Sequence, residues 1–76
     1  MPSKLPQISG KELSRVLTRL GFELKSSKGS HRKFVRKTKI GQETIVFADH
    51  KTIKKGILSA VLKRLNLNVD EFKKLF

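Results

Sequence analysis

One histidine in this chain lies in a setting that could do chemistry. His31 falls within the stretch KGSHRKF, residues 28–34, directly after a Gly-Ser pair and among several cations. An imidazole exchanges protons near neutral pH, and neighbouring positive charges favour its neutral, proton-accepting form. Cations can also hold a phosphodiester and stabilise negative charge that develops on it. The combination suits RNA cleavage, in which a base takes the proton of a 2′-hydroxyl and the alkoxide attacks the adjacent phosphorus.

The polar residues beside His31 are the first candidates for contacts with RNA. On proximity alone, we expect the substrate to be bound by Lys28, Ser30, Arg32 and Lys33. Ser30 has no identifiable charge-relay partner, so a nucleophilic role is disfavoured and a role in the turn fits it better. A second interpretation stays open, in which His31 is a surface histidine that only hydrogen-bonds a phosphate or a turn carbonyl.

Other chemistries find little support in the sequence. His50 could be a second proton-transfer group, although a structural role is favoured. The two histidines and Asp49 make a poor metal set, because no short His-x-x-x-His spacing and no cysteine accompanies them. No P-loop or dinucleotide-binding glycine pattern is present, and without Trp or Tyr a base-stacking platform is unsupported. We therefore expect no metal and no cofactor.

The net charge points to a polyanionic partner. Eighteen Lys and Arg stand against six Asp and Glu, which gives a formal charge of +12. Residues 25–39 and 51–64 carry many basic side chains and no acidic one. Such a field attracts nucleic acid and makes its binding fast and sensitive to salt. A strongly acidic protein is the second expected partner, and a membrane surface is less favoured because no segment combines a basic face with a broad apolar one.

Length and composition predict one small soluble domain spanning residues 1–76. A chain of this length buries a small core, and its spaced apolar positions argue against disorder. The absence of cysteine suits a reducing cytoplasm, and no apolar run is long enough for a signal sequence or a membrane span. We therefore expect a cytoplasmic protein without a membrane partner.

The helices are marked by their end signals and by apolar spacing. Ser9 and Glu12 have the spacing of a capping box, apolar residues follow at helical intervals, and Gly21 fits a helix terminator. A second helix is predicted over about residues 54–65, and a short last helix after the cap-like residues 68–71. The buried stripe of the second helix is expected to comprise Ile57, Leu58, Val61, Leu62 and Leu65.

Three short strands are predicted between the helices, over residues 22–26, 31–37 and 43–48. A turn through residues 27–30 joins the first two, and a loop containing Gly41 suits a hairpin before the third. The order is α-β-β-β-α plus a terminal helical turn. It predicts an α+β fold with a three-stranded antiparallel sheet and helices packed on one face.

The alternation of side chains along the predicted strands assigns His31 to one face of the sheet. If Phe34 and Phe47 point into the core, His31 and Lys33 lie together on the opposite face. We expect no helix to cover this face. The histidine and lysine are therefore predicted to be presented together at the surface.

Several segments together resemble the HicA toxin family, the small RNA-cleaving partner in HicA–HicB toxin–antitoxin pairs. The sharpest is residues 28–31, Lys-Gly-Ser-His, followed by a strand with Phe34. The opening Ser-Gly-Lys-Glu, the Leu-Gly-Phe that closes the first helix, and residues 53–58 and 67–72 also fit, so the resemblance covers nearly the whole chain. The chain departs from the family at residues 54–56, Lys-Lys-Gly, where Lys-Pro-Gly is common. Lysine can replace proline at a helix start without loss of the fold.

The resemblance implies a fold similar to double-stranded RNA-binding domains and a metal-independent mRNA interferase activity. His31 matches the position of the family's catalytic histidine. An acidic antitoxin of the HicB type would cover the His31 face and block it, and the exposed Val35 and Val46 would offer it an apolar contact. The implied function is that of the toxin in a type II toxin–antitoxin system, an endoribonuclease acting on mRNA without a nucleotide cofactor.

Two other functions are carried as alternatives. The first is a non-catalytic RNA-binding module, since folds of this type read duplex RNA by its shape and phosphates. Removal of His31 separates the two, because a nuclease would lose cleavage while a binding module would be little affected. A DNA-binding or phage accessory protein ranks lower, because no helix-turn-helix pattern is evident.

Overall fold

The computed structural model describes residues 5–75, and its elements confirm the predicted order and the α+β class. The elements are α1 at Gly10–Arg19, β1 at Glu23–Lys28, β2 at His31–Thr38, β3 at Gly41–Ala48, α2 at Lys55–Leu65 and α3 at Val69–Lys73. Residues 1–4 and 76, which belong to the predicted domain, lie outside the described residues. Among residues 5–75, none of the helices has the length and hydropathy needed to span a bilayer.

Helix α1 begins at the predicted capping box. The Glu12 N–H donates to the Ser9 hydroxyl at 3.1 Å, and the Glu12 carboxylate accepts from the Ser9 N–H at 3.0 Å. The pair satisfies N–H groups that the first turn of a helix leaves open. Gly21 follows the helix with φ of +94°, a left-handed conformation that glycine adopts without a Cβ penalty. The chain therefore turns sharply from α1 into the sheet.

The three strands form one antiparallel sheet in the order β1-β2-β3. Two-residue turns, Gly29–Ser30 and Lys39–Ile40, make both connections. Gly29 has φ of +57° at the first central position of its turn, where hairpins of matching twist favour glycine. A register shift between Leu24 and Ser26 marks a β-bulge in β1. The short first turn fixes where β2, and with it His31, begins.

The helices pack on one face of the sheet, as predicted. Phe34 and Phe47 stack with their ring centroids 5.8 Å apart, and both are buried. The helical side chains buried in the same cluster are Leu13, Val16, Leu17, Leu58, Val61, Leu62 and Phe72. Val35, which projects from the other face of β2, is not part of this cluster. The opposite face of the sheet is therefore left without helices.

Two apolar side chains differ from their predicted burial. Val35 was expected to be exposed, but only 6% of it is accessible. It shares a groove with the long side chains of Lys25 and Lys37, whose aliphatic stems can cover an apolar neighbour. Ile57 was expected in the buried stripe of α2 and is 41% exposed; Leu58, Val61 and Leu62 of that stripe are buried, and Leu65 is partly buried against the core.

Candidate active site and nucleic-acid interface

The sheet face opposite the helices brings His31 together with lysine, as the sequence predicts. Lys28 is the direct partner of His31 across β1 and β2, and Lys33 is paired with both Ser26 and Val46. Directly paired residues of an antiparallel sheet project to the same face. We call this surface the open face, and its members near the first turn are Ser26, Lys28, His31, Lys33, Val46 and Ala48.

The functional groups of the open face are available to a ligand. His31, Lys28 and Lys33 are all exposed. Among residues 5–75, no hydrogen bond or ion pair engages the imidazole or either amine. An imidazole and two ammonium groups are therefore presented together on one surface.

Ser30 lies in the turn that precedes His31 and is half-buried. Its carbonyl oxygen accepts a hydrogen bond of 2.6 Å from the backbone N–H of Asp49. This bond joins the turn to the end of β3. Ser30 thus takes part in the turn through its backbone, while a contact between its hydroxyl and RNA stays a prediction.

Arg32 projects to the other side of β2 from His31. Its direct partner across the sheet is Phe47, a residue of the core face. Its Nη1 donates to the carbonyl oxygens of Gly29 at 2.7 Å and His31 at 3.2 Å, and its Nη2 lies 3.3 Å from Oδ2 of Asp49. The structure therefore separates Arg32 from the open face, although it is adjacent to His31 in the chain.

The segment after β3 packs tightly on the start of α1. The Gly10 N–H donates to the His50 carbonyl oxygen at 2.8 Å. A Cβ on Gly10 would lie 2.7 Å from the Cα of Asp49, closer than carbon atoms approach in proteins. His50 thus contributes a backbone acceptor to this junction, and proton transfer by its imidazole stays a prediction. No sequence motif marks these contacts, because they join residues far apart in the chain.

A second arginine occupies a comparable position towards the other end of β2. Arg36 pairs with Glu43 through Nη2 and Oε1 at 2.7 Å and donates from Nη1 to the Leu20 carbonyl oxygen at 2.9 Å. Its guanidinium carbon lies 4.6 Å from the ring centroid of Phe22. Arg36 therefore joins the sheet to the end of α1, away from the first turn.

The described residues bring few metal-binding side chains together. No group of three or more His, Cys, Asp or Glu side chains is arranged there to hold one. On the open face, the exposed imidazole of His31 lies between the cations Lys28 and Lys33.

The fold and site define a small α+β domain that presents a histidine and lysines on an uncovered sheet face. The family model described as the HicA toxin of bacterial toxin–antitoxin systems matches residues 10–67, more than half of the chain. The chain therefore belongs to the HicA toxin family, and the matched segment includes α1, the whole sheet and α2. No curated protein and no solved structure gives a match. The similarity to double-stranded RNA-binding domains accordingly stays a prediction.

Proposed function

We propose that this toxin is an endoribonuclease in which His31 acts as the base that starts cleavage of RNA, without a metal ion. The observation that supports it is the open face, where an exposed imidazole lies directly across from Lys28 and beside Lys33. The lysines would hold a phosphodiester so that the neighbouring 2′-hydroxyl reaches the imidazole. Such positioning turns an encounter in solution into a reaction within one complex.

The proposed reaction needs no group beyond those on the open face and water. The imidazole takes the proton of the 2′-hydroxyl, and the 2′-oxygen forms a bond to the adjacent phosphorus. The bond from phosphorus to the 5′-oxygen breaks, and that oxygen takes a proton from water. The upstream product ends in a 2′,3′-cyclic phosphate, while the lysines stabilise the charge that builds on the phosphoryl oxygens.

The biological setting follows from the family and the charge. The family role is that of the toxin in a toxin–antitoxin pair, and the substrate we propose is mRNA in the cytoplasm. With a net charge of +12, the chain is complementary to an acidic protein. We propose that an acidic HicB-type antitoxin neutralises the toxin by covering the open face, where Val46 is 56% exposed.

The test is cleavage of a labelled RNA in EDTA by the parent protein, by His31→Ala and by the control His50→Ala. We expect His31→Ala to lose about 10²–10⁴-fold in rate while RNA binding is unchanged, and His50→Ala to cleave like the parent. A substrate with 2′-deoxyribose at the cleavage position should resist the parent. Binding without cleavage by all three proteins would identify a non-catalytic RNA-binding module. Equal cleavage by the parent and His31→Ala would overturn the role of His31.

A further inference from the structure

We infer that Arg32 and Asp49 are positioning residues that fix the turn carrying His31, and that Arg32 is not a ligand for RNA. The inference rests on the proposed function, since it concerns how the catalytic imidazole is held. It changes the expected role of Arg32 from a ligand for RNA to a residue that positions the turn. It also gives Asp49 and Gly10 a part in holding this turn, which was not predicted from the sequence.

The turn is held through its backbone carbonyl groups. Three consecutive carbonyl oxygens, those of residues 29, 30 and 31, all accept hydrogen bonds from this pair. Arg32 supplies the first and third donors, and the backbone N–H of Asp49 supplies the second. The side chain of His31 projects to the opposite face. The hydrogen bonds therefore fix the peptide units around His31 and leave its imidazole free for substrate.

Asp49 is itself fixed in place by α1. Its Cα lies where even a methyl group on Gly10 could not be accommodated, and the next residue accepts the Gly10 N–H at 2.8 Å. Helix α1 thus contacts Asp49, Asp49 pairs with Arg32, and Arg32 donates hydrogen bonds to the turn. These contacts connect the turn to α1, in addition to the strand pairing that flanks it.

The geometry of the pair favours positioning over substrate binding. The side chains of Arg32 and Asp49 are 23% and 21% exposed, so water screens them less than it screens a surface ion pair. A planar guanidinium can donate in several fixed directions at once, and Arg32 uses this to reach the turn and the carboxylate together. Binding a phosphate would require Arg32 to break these contacts and cross to the other face of the sheet.

Arg36, on the same strand and face as Arg32, pairs with Glu43 of β3 and provides a matched control, with side chains 29% and 31% exposed. We compare Arg32→Gln and Asp49→Asn with Arg36→Gln and Glu43→Gln, measuring kcat at saturating RNA, Kd over a range of salt concentrations, and Tm. We expect the first two variants to lower kcat about 10-fold with Kd nearly unchanged. The control variants should lower Tm by a similar amount and leave kcat unchanged.

The salt dependence of RNA binding decides the role of Arg32. A phosphate ligand contributes about one to the slope of log Kd against log salt, whereas a positioning residue contributes nothing. Arg32→Gln should therefore keep the parent slope. A slope smaller by about one with unchanged kcat would make Arg32 an RNA ligand. A kcat for Asp49→Asn equal to that of Glu43→Gln would also overturn the inference.

Amide hydrogen exchange tests the positioning without cleavage. The Asp49 amide, bonded to the Ser30 carbonyl, should exchange about tenfold faster in Arg32→Gln than in Arg36→Gln, since only the first frees the turn. Equal exchange in the two variants would overturn the positioning role. If the parent does not cleave RNA in EDTA, the proposed function fails, and this exchange result still decides whether the pair holds the turn.

Discussion

The two arginines of β2 have similar settings and hold different parts of the molecule. Arg32 and Arg36 both project to the core face, pair with a carboxylate and donate to a backbone carbonyl. Arg36 reaches the end of α1 and covers Phe22, so it joins elements of the scaffold. Arg32 reaches the turn that presents His31. An arginine next to a candidate catalytic residue in the sequence can therefore hydrogen-bond the backbone around that residue, on the other side of the strand from its side chain.

The largest effect is expected from a substitution at Gly10, which packs against Asp49 at the end of the sheet that carries the first turn. We expect Gly10→Ala to lower the free energy of unfolding by about 1–3 kcal/mol, because the new methyl group displaces Asp49. Gly56→Ala in α2 is the matched control, since beyond its chain neighbours and the backbone of its own helix no atom lies within 4 Å of the added Cβ. It should stabilise the protein by up to about 0.5 kcal/mol, because Gly56 lies in the first turn of α2, where the helix-propensity difference is smaller than in a helix interior. Urea unfolding measures both, and effects of the same sign would contradict the tight packing at Gly10.

The two valines of the open face differ in solvent exposure, and substituting them compares how the two ends of that face are covered. Val35 is 6% exposed among long side chains, and Val46, beside Lys33, is 56% exposed. We expect Val35→Ala to cost about 1–2 kcal/mol in unfolding free energy, because buried methyl groups are lost. Val46→Ala should change it by less than about 0.5 kcal/mol. Similar losses in thermal or urea unfolding would show that the face is covered equally at both ends.

The smallest expected effect is a difference in the salt dependence of RNA binding between variants of two lysines on the same face of β2. Lys33 lies near His31 and Lys37 near the other end of the strand, and both are exposed. If RNA occupies the His31 end, Lys33→Ala should reduce the salt slope of RNA binding by about one. Lys37→Ala should leave that slope unchanged. Equal reductions in a titration over several salt concentrations would mean that RNA covers the full length of the sheet.

The features that the sequence predicted well depend on residues close together in the chain. The capping boxes of α1 and α3 are both formed, the latter between Asn68 and Glu71. The turn before His31, predicted over residues 27–30 and observed at Gly29–Ser30, and the alternation along β2 likewise involve immediate neighbours. These local signals were sufficient to predict the element order and to put His31 with Lys33 on the open face.

The features that the sequence could not predict depend on contacts across the fold. Arg32 was grouped with His31 by proximity in the chain, although strand alternation already separates the two; its contacts with the turn and with Asp49 depend on the fold. The role of Asp49 requires knowing that α1 starts beside it, which no spacing pattern encodes. Ile57 follows the helical period, but its burial is decided by how α2 sits against the sheet. Val35 is buried by side chains from neighbouring strands, which period-two counting does not include.

The contact between Gly10 and the residues after β3 has a consequence for how the protein folds. The two hairpins bring together residues that are near in the chain, and such contacts form early at little cost in loop entropy. The contact of α1 with Asp49 closes a loop that contains the whole sheet, so we expect it to form after the folding transition state. Gly10→Ala, which displaces Asp49, should then speed unfolding and leave the refolding rate nearly unchanged in stopped-flow measurements. The contact of α1 with Asp49, which supports the turn before His31, would be the last to form and the first to open.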